Sequence, residues 1–79
     1  MTEDQKACSL ILDLLAASRL VPRTMVWILH EMKRAGVAAE VSTLLEILRE
    51  GKLIMREKDG LGVYRYSITA AGKEALEGF

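Results

Sequence analysis

Apolar side chains recur along this chain with two different periods. Between Glu3 and Ser18, residues Ala7, Leu10, Ile11, Leu14 and Leu15 fall three or four positions apart, which predicts an amphipathic helix with a core stripe. Thr2 is suited to cap this helix. Glu3 and Asp4 put negative charge in its first turn, where the helix dipole favours it. Cys8, Leu12 and Ala16 form a second apolar row beside the first. Two readings of that row are open: the helix is broadly buried in its own domain, or the row meets another chain. A second helix is expected from Pro22, well placed at a first helical position, to Ala35, with Gly36 taking the left-handed conformation at its end. Its inward stripe is Met25, Ile28, Leu29 and Met32, and Trp27, His30, Glu31 and Arg34 lie on the other side. Trp27 either closes the edge of the core or is partly exposed, stacked on Arg34 or packed on a partner. A third helix is expected over 38–50, with Val41, Leu44, Leu45 and Leu48 inward and Glu40, Ser42, Thr43, Glu46 and Glu50 on or near the outer face. Gly51 ends it.

After Gly51 the period shortens. Leu53-Ile54-Met55, running on into Arg56-Glu57, reads as a strand. The stretch 58–62 holds Asp59-Gly60, a strong reversal signal, and 63–68 is rich in aromatic and β-branched residues, which completes a hairpin. Thr69 then caps a last helix of one or two turns, Ala70 to Glu77. Helices 2 and 3 are separated only by Gly36-Val37, a corner of the helix-turn-helix kind. The expected class is α+β, mainly α: a winged helix-turn-helix with a three-helix core, a two-stranded β-wing and a short C-terminal helix. With no linker, repeat or low-complexity tract, residues 1–79 form one domain.

Composition narrows the function. The chain has 51% apolar residues, 28% charged residues and zero formal net charge, which argues against a disordered tail. No apolar run approaches the ~20 residues of a membrane span. The acidic start Met1-Thr2-Glu3-Asp4 does not fit a signal or transit peptide. A single cysteine closes no intrachain disulfide and fits a reducing compartment, so a cytoplasmic location is expected. One His and one Cys make no soft metal set, and neither metal nor cofactor is expected. Catalysis is not expected either. Cys8 and His30 are the one thiol–imidazole pair and sit on apolar or mixed helix faces, and the carboxylates are dispersed. Gly60-Leu61-Gly62 lacks the following helix that a phosphate loop requires. A domain this small buries only about 60–65% of its unfolded surface, so self-association is expected.

The stretch from Leu44 through Gly51-Lys52-Leu53-Ile54-Met55-Arg56, followed by Tyr64-Arg65-Tyr66-Ser67-Ile68-Thr69-Ala70-Ala71-Gly72, resembles the core of winged-helix transcription regulators of the MarR and PadR families. The shared features are a leucine-rich third helix, a Gly-x-Leu-Ile-x-Arg exit into the wing, and a Tyr-x-Ile-Thr-x-x-Gly re-entry into a helix. The likeness is good over 38–76 and only positional over the first two helices. It implies double-stranded DNA as partner, with helix 3 toward the major groove and the wing on the backbone. The residues matching such contacts are Arg23, Glu40, Ser42, Thr43, Arg49, Lys52, Arg56, Lys58 and Arg65. It also implies a homodimer, for which helix 1 (Cys8, Leu12, Ala16) or the tail (Leu76, Phe79) is available. Local charge bears on this picture. Helix 3 carries a net −2, whereas helix 2 and the wing carry +2 each. No Lys or Arg precedes Arg49 in helix 3, so a bidentate arginine–guanine contact is not available from its leading turns; Glu40 can accept from a cytosine amino group, and Ser42 or Thr43 can meet base or phosphate. The alternative is a winged-helix protein–protein interaction module, which zero net charge, the acidic helix 3 and the spare apolar residues Leu12, Trp27 and Ile47 favour.

Overall fold

In the computed structural model, which describes residues 2–18 and 20–78, the elements follow in the order α1 (Glu3–Ala17), β1 (Arg23–Thr24), α2 (Met25–Arg34), α3 (Val41–Glu50), β2 (Ile54–Lys58), β3 (Tyr64–Ile68) and α4 (Ala70–Glu77). The Thr2 hydroxyl accepts from the Gln5 N–H at 3.1 Å, and the Gln5 side chain accepts from the Thr2 N–H at 3.0 Å, so α1 opens on a reciprocal capping box. The helix packs against α2, α3, β3 and α4. That central position explains its breadth of burial: Ala7, Ile11, Leu12 and Leu15 are all buried. Leu12 is 0% exposed and has no surface to offer a second chain, which removes it from the expected dimer contacts. Cys8, Ala16 and Leu76 are half-buried, and Phe79 lies outside the described residues.

The second helix starts three residues later than Pro22, at Met25. Arg23 and Thr24 are drawn instead into β1, where they pair with Tyr66 and Arg65, and the Thr24 hydroxyl accepts from the Trp27 N–H at 3.2 Å to cap α2. The sheet is therefore three-stranded and antiparallel, in the order β1-β3-β2, rather than an isolated two-stranded wing. Gly36, at φ +76°, ends α2: its N–H donates to Lys33 O and the Val37 N–H to Met32 O, both at 3.0 Å. The chain then runs non-helically through 37–40, so α3 begins at Val41 rather than Ala38. Trp27 packs on the core edge with the Arg23 guanidinium 4.4 Å above its ring; Arg34 pairs instead with Glu31.

The register Ile54↔Ile68, Arg56↔Tyr66, Lys58↔Tyr64 puts those residues on one face of the hairpin, turned toward the helices. Ile54 and Tyr66 join Ile28, Met32, Val41, Leu44, Leu45 and Leu48 in the core. No helix among the described residues is long and apolar enough to cross a membrane.

The junction between α3 and the wing is tightly specified. The Lys52 N–H donates to Arg49 O and the Leu53 N–H to Leu48 O, both at 3.0 Å, with Lys52 itself in the left-handed region at φ 62°. The exposed carbonyls of this turn are taken up by α4. The Thr69 hydroxyl donates to Lys52 O at 2.7 Å and its N–H donates to Leu53 O at 3.1 Å. That hydroxyl also accepts from the Gly72 N–H at 3.0 Å and caps α4. Gly72 is the point of closest approach, because a Cβ there would lie 2.0 Å from Leu53 O.

Candidate nucleic-acid interface

Turning Val41, Leu44, Leu45 and Leu48 inward leaves Ser42, Thr43, Glu46, Ile47 and Glu50 outward, with Arg49 at the flank. Glu46 holds this face together. Arg49 Nε donates to Glu46 Oε2 at 2.7 Å and Nη2 to Oε1 at 3.2 Å, a bidentate pair one turn apart on the helix. From the wing, Arg56 Nη1 comes within 3.6 Å of Glu46 Oε1, while its guanidinium lies 4.1 Å over the Tyr64 ring. Lys58 approaches the same ring at 5.2 Å. The Arg49 hydrogen bond holds the Glu46 carboxyl below the usual carboxylate range, with the Arg49 and Arg56 charges adding to the effect.

The surface continues from Tyr64 onto α2. A groove of about 210 Å³ is lined by Thr24, Met25, Val26, Val63, Tyr64 and Tyr66. A second, of about 260 Å³, runs from Met25, Val26 and Leu29 to Ala39, Glu40, Val41 and Ser42. Met25 and Val26 thus form an apolar ridge between the wing and the start of α3, and Val26 is 72% exposed.

Among the expected contact residues, the structure brings Arg49 and Arg56 together at Glu46, with Lys58 on the same face of the wing as Arg56; Ser42 and Thr43 are exposed in the first turn of α3, and Glu40 stands at its non-helical entry. Arg65 is not with them. It alternates with Tyr64 and Tyr66 and so lies on the outer face, where it cannot flank one phosphate backbone symmetrically with Arg56. Its Nε donates to Asp59 Oδ2 at 3.0 Å. Asp59 also accepts the Leu61 and Val63 N–H groups at 2.8 and 3.0 Å; these backbone bonds and Arg65 hold its carboxyl below the usual range. Arg23 is committed to Trp27 and to Ser18 Oγ, 3.2 Å from its Nε. Lys52 sits at the base of the wing, at the end of β2 away from the tip.

In the sequence Glu46 reads only as an outer-face residue, and no local pattern marks Tyr64 or the Met25–Val26 ridge as part of this surface. Glu46-x-x-Arg49 is a readable helical pair; the arrival of Arg56 depends on hairpin register and is not. Cys8 is half-buried, and burial followed by the Asp4 charge pushes its thiol pKa up, which makes it a poor nucleophile. Among the described residues no three His, Cys, Asp or Glu side chains gather as a metal site.

No protein-family model and no curated protein matches the chain. Among solved structures, the fold is similar to that of a mutant of MepR from a multidrug-resistant S. aureus clinical isolate, with a TM-score of 0.73 and 25% sequence identity. The match covers 95% of this chain and 63% of that one, so the chain spans less than two thirds of the length of its structural neighbour. MepR is a winged-helix regulator of the MarR family, and the three-helix core, antiparallel sheet and wing described above are the winged-helix fold that the two chains share.

Proposed function

We propose that this chain binds double-stranded DNA as a transcription regulator, with the first turns of α3 toward the major groove and the wing on the backbone. The observation that carries this reading is the grouping of Arg49 and Arg56 around Glu46 on the outer face of α3, with Lys58 farther along the same face of the wing, on a fold shared with a regulator. Duplex affinity comes largely from neutralised phosphates. Lys33, Lys52 and Lys58 are in no ion pair among the described residues, and Arg56, which meets Glu46 through Nη1, has further guanidinium N–H groups to offer a phosphate. Pairing of two copies through the partly exposed edges of α1 and α4, at Cys8, Ala16 and Leu76, doubles the phosphates engaged and belongs to the same proposal.

The test is fluorescence anisotropy against random duplex DNA across a salt series from about 50 to 200 mM. Roughly three to four phosphates per chain give a log–log slope of about −3 for one copy and about −6 for a pair of copies. The Arg56→Glu, Arg65→Glu double variant should lose binding throughout. Absence of binding at the lowest salt overturns the proposal.

A second reading is favoured by one observation. The exposed apolar residues Met25, Val26, Leu29 and Val63 line the same face, and a phosphate backbone does not need them. On this reading the face docks a protein: the native protein shows no duplex binding at any salt, and the double variant keeps its protein partner.

A further inference from the structure

We propose that Glu46 is a base-reading residue of α3 and that it reads cytosine, through the exocyclic amino group exposed in the major groove. The inference rests on the DNA-binding proposal and goes beyond it by naming the base.

Placement comes first. Glu46 falls on the side of α3 opposite the buried stripe, between Thr43 and Glu50. Its side chain remains 45% exposed although it touches two arginines. Orientation comes second. Glu40 and Glu50 are in no ion pair among the described residues, so ordering either against a base costs its full rotamer entropy. Glu46 is already fixed by the Arg49 fork, and Arg56 approaches from the wing with its own guanidinium laid on Tyr64. Pre-organisation of this kind makes a polar side chain selective rather than merely adherent.

The remaining acceptor capacity decides the base. An ionised carboxylate offers about four lone-pair sites and no donor. Arg49 takes one on each oxygen, and Arg56, at 3.6 Å, makes an ionic contact rather than a full hydrogen bond. At least one lone pair is left for a donor. In the major groove cytosine presents an amino donor, whereas adenine presents its amino group beside the N7 acceptor, and guanine presents acceptors alone. An acceptor-only group therefore fits cytosine and is opposed by adenine N7 and by guanine. The two arginines also solve the problem of bringing a carboxylate near phosphates: Glu46, Arg49 and Arg56 together carry a net positive charge.

The test is selection from a randomised duplex pool, followed by sequencing, for the native protein, Glu46→Gln and Glu46→Asp. The exposed position permits both substitutions, and thermal melts check that each variant folds. The native protein should enrich a motif with one fixed cytosine, preferred by about tenfold or more over the other bases. Glu46→Gln, which offers a donor beside an acceptor, should keep the flanking motif and shift that position to adenine. Glu46→Asp, too short to span the same gap, should lose the preference without gaining another. A motif unchanged in Glu46→Gln overturns the role of Glu46, and duplex binding without any enriched motif overturns it equally; both leave DNA binding standing. Failure of the native protein to bind any duplex overturns the DNA-binding proposal and this inference with it.

Discussion

Replacing Gly72 with Ala sets two effects of opposite sign against each other. Alanine is the better helix former by about 1 kcal/mol, so intrinsic propensity alone predicts a more stable α4. The structure predicts the reverse. The new Cβ would lie 2.0 Å from Leu53 O and 2.7 Å from Ile68 Cγ1. Carbon–oxygen contacts settle at about 3.3 Å or beyond, so α4 and the Leu53 backbone must separate by roughly 1.3 Å. The Ile68 side chain can give way, but Leu53 O cannot move alone. It accepts the Thr69 N–H at 3.1 Å, and the neighbouring Lys52 O accepts the Thr69 hydroxyl at 2.7 Å. Overpacking costs about 1–3 kcal/mol. Weakening the two hydrogen bonds adds about 1 kcal/mol each. After the propensity gain is subtracted, the net loss is roughly 2–4 kcal/mol. That is a large part of the roughly 4–12 kcal/mol expected for a domain of this length. The melting temperature should fall by about 10–25 °C. Thermal and urea unfolding followed by far-ultraviolet circular dichroism measure it. Ala71→Gly, at the exposed neighbouring position, serves as the control and should cost only about 1 kcal/mol. A Gly72→Ala protein that melts at or above the native temperature would refute the seating of α4 on Leu53.

Three further outcomes follow from the structure. Lys52→Gly should stabilise the fold by about 0.5–1 kcal/mol in the same unfolding assay, because a left-handed backbone penalises a side chain more than glycine loses in chain entropy. Leu12→Ala should lose about 2–5 kcal/mol of stability, since the side chain is fully buried, and sedimentation of the folded variant should show the native oligomeric state. Asp59 is held below its ordinary value of 3.8, first by the Val63 and Leu61 N–H groups and then by Arg65. A carboxyl depressed in the folded state contributes stability that is complete above its unfolded value and lost as pH falls through the folded one. The melting-temperature gap between the native protein and Asp59→Asn should therefore be constant near neutrality and close below about pH 4.

Much of the fold was legible because it depends on local pattern. The stripe of α3, the reversal at Asp59-Gly60 and the Thr69 cap each need only neighbours in sequence. What was misread depends on partners far along the chain. Pro22 suits a helix start, yet pairing of Arg23 and Thr24 with β3, more than forty positions on, makes that stretch a strand and moves the helix start to Met25. The second row on α1 looks spare only while α1 is taken as a peripheral helix. With α2, α3, α4 and β3 packed around it, Leu12 becomes core. Gly51 has the residue type for a left-handed helix end, but the turn places that conformation on Lys52, because it is Leu53 that must follow to reach both Leu48 O and α4.

Electrostatics shows the same division. Counted element by element, α3 is acidic and the wing basic, and an acidic recognition helix argues against DNA. In three dimensions these are not separate surfaces. Glu46 spends its charge on Arg49 of its own helix and on Arg56 of the wing, so the excess negative charge of α3 is partly cancelled where the wing meets it. The same carboxylate restrains the two arginines. They cannot act as freely as unpaired cations on phosphates, but they give the surface a fixed geometry, with Arg56 held between Glu46 and Tyr64. Under the proposed DNA-binding function, modest affinity for any duplex together with a defined set of donors and acceptors is the balance expected of such a surface, and it favours discrimination between sequences over strong indiscriminate binding. Net charge, summed along the chain, reports the first of these properties and is blind to the second.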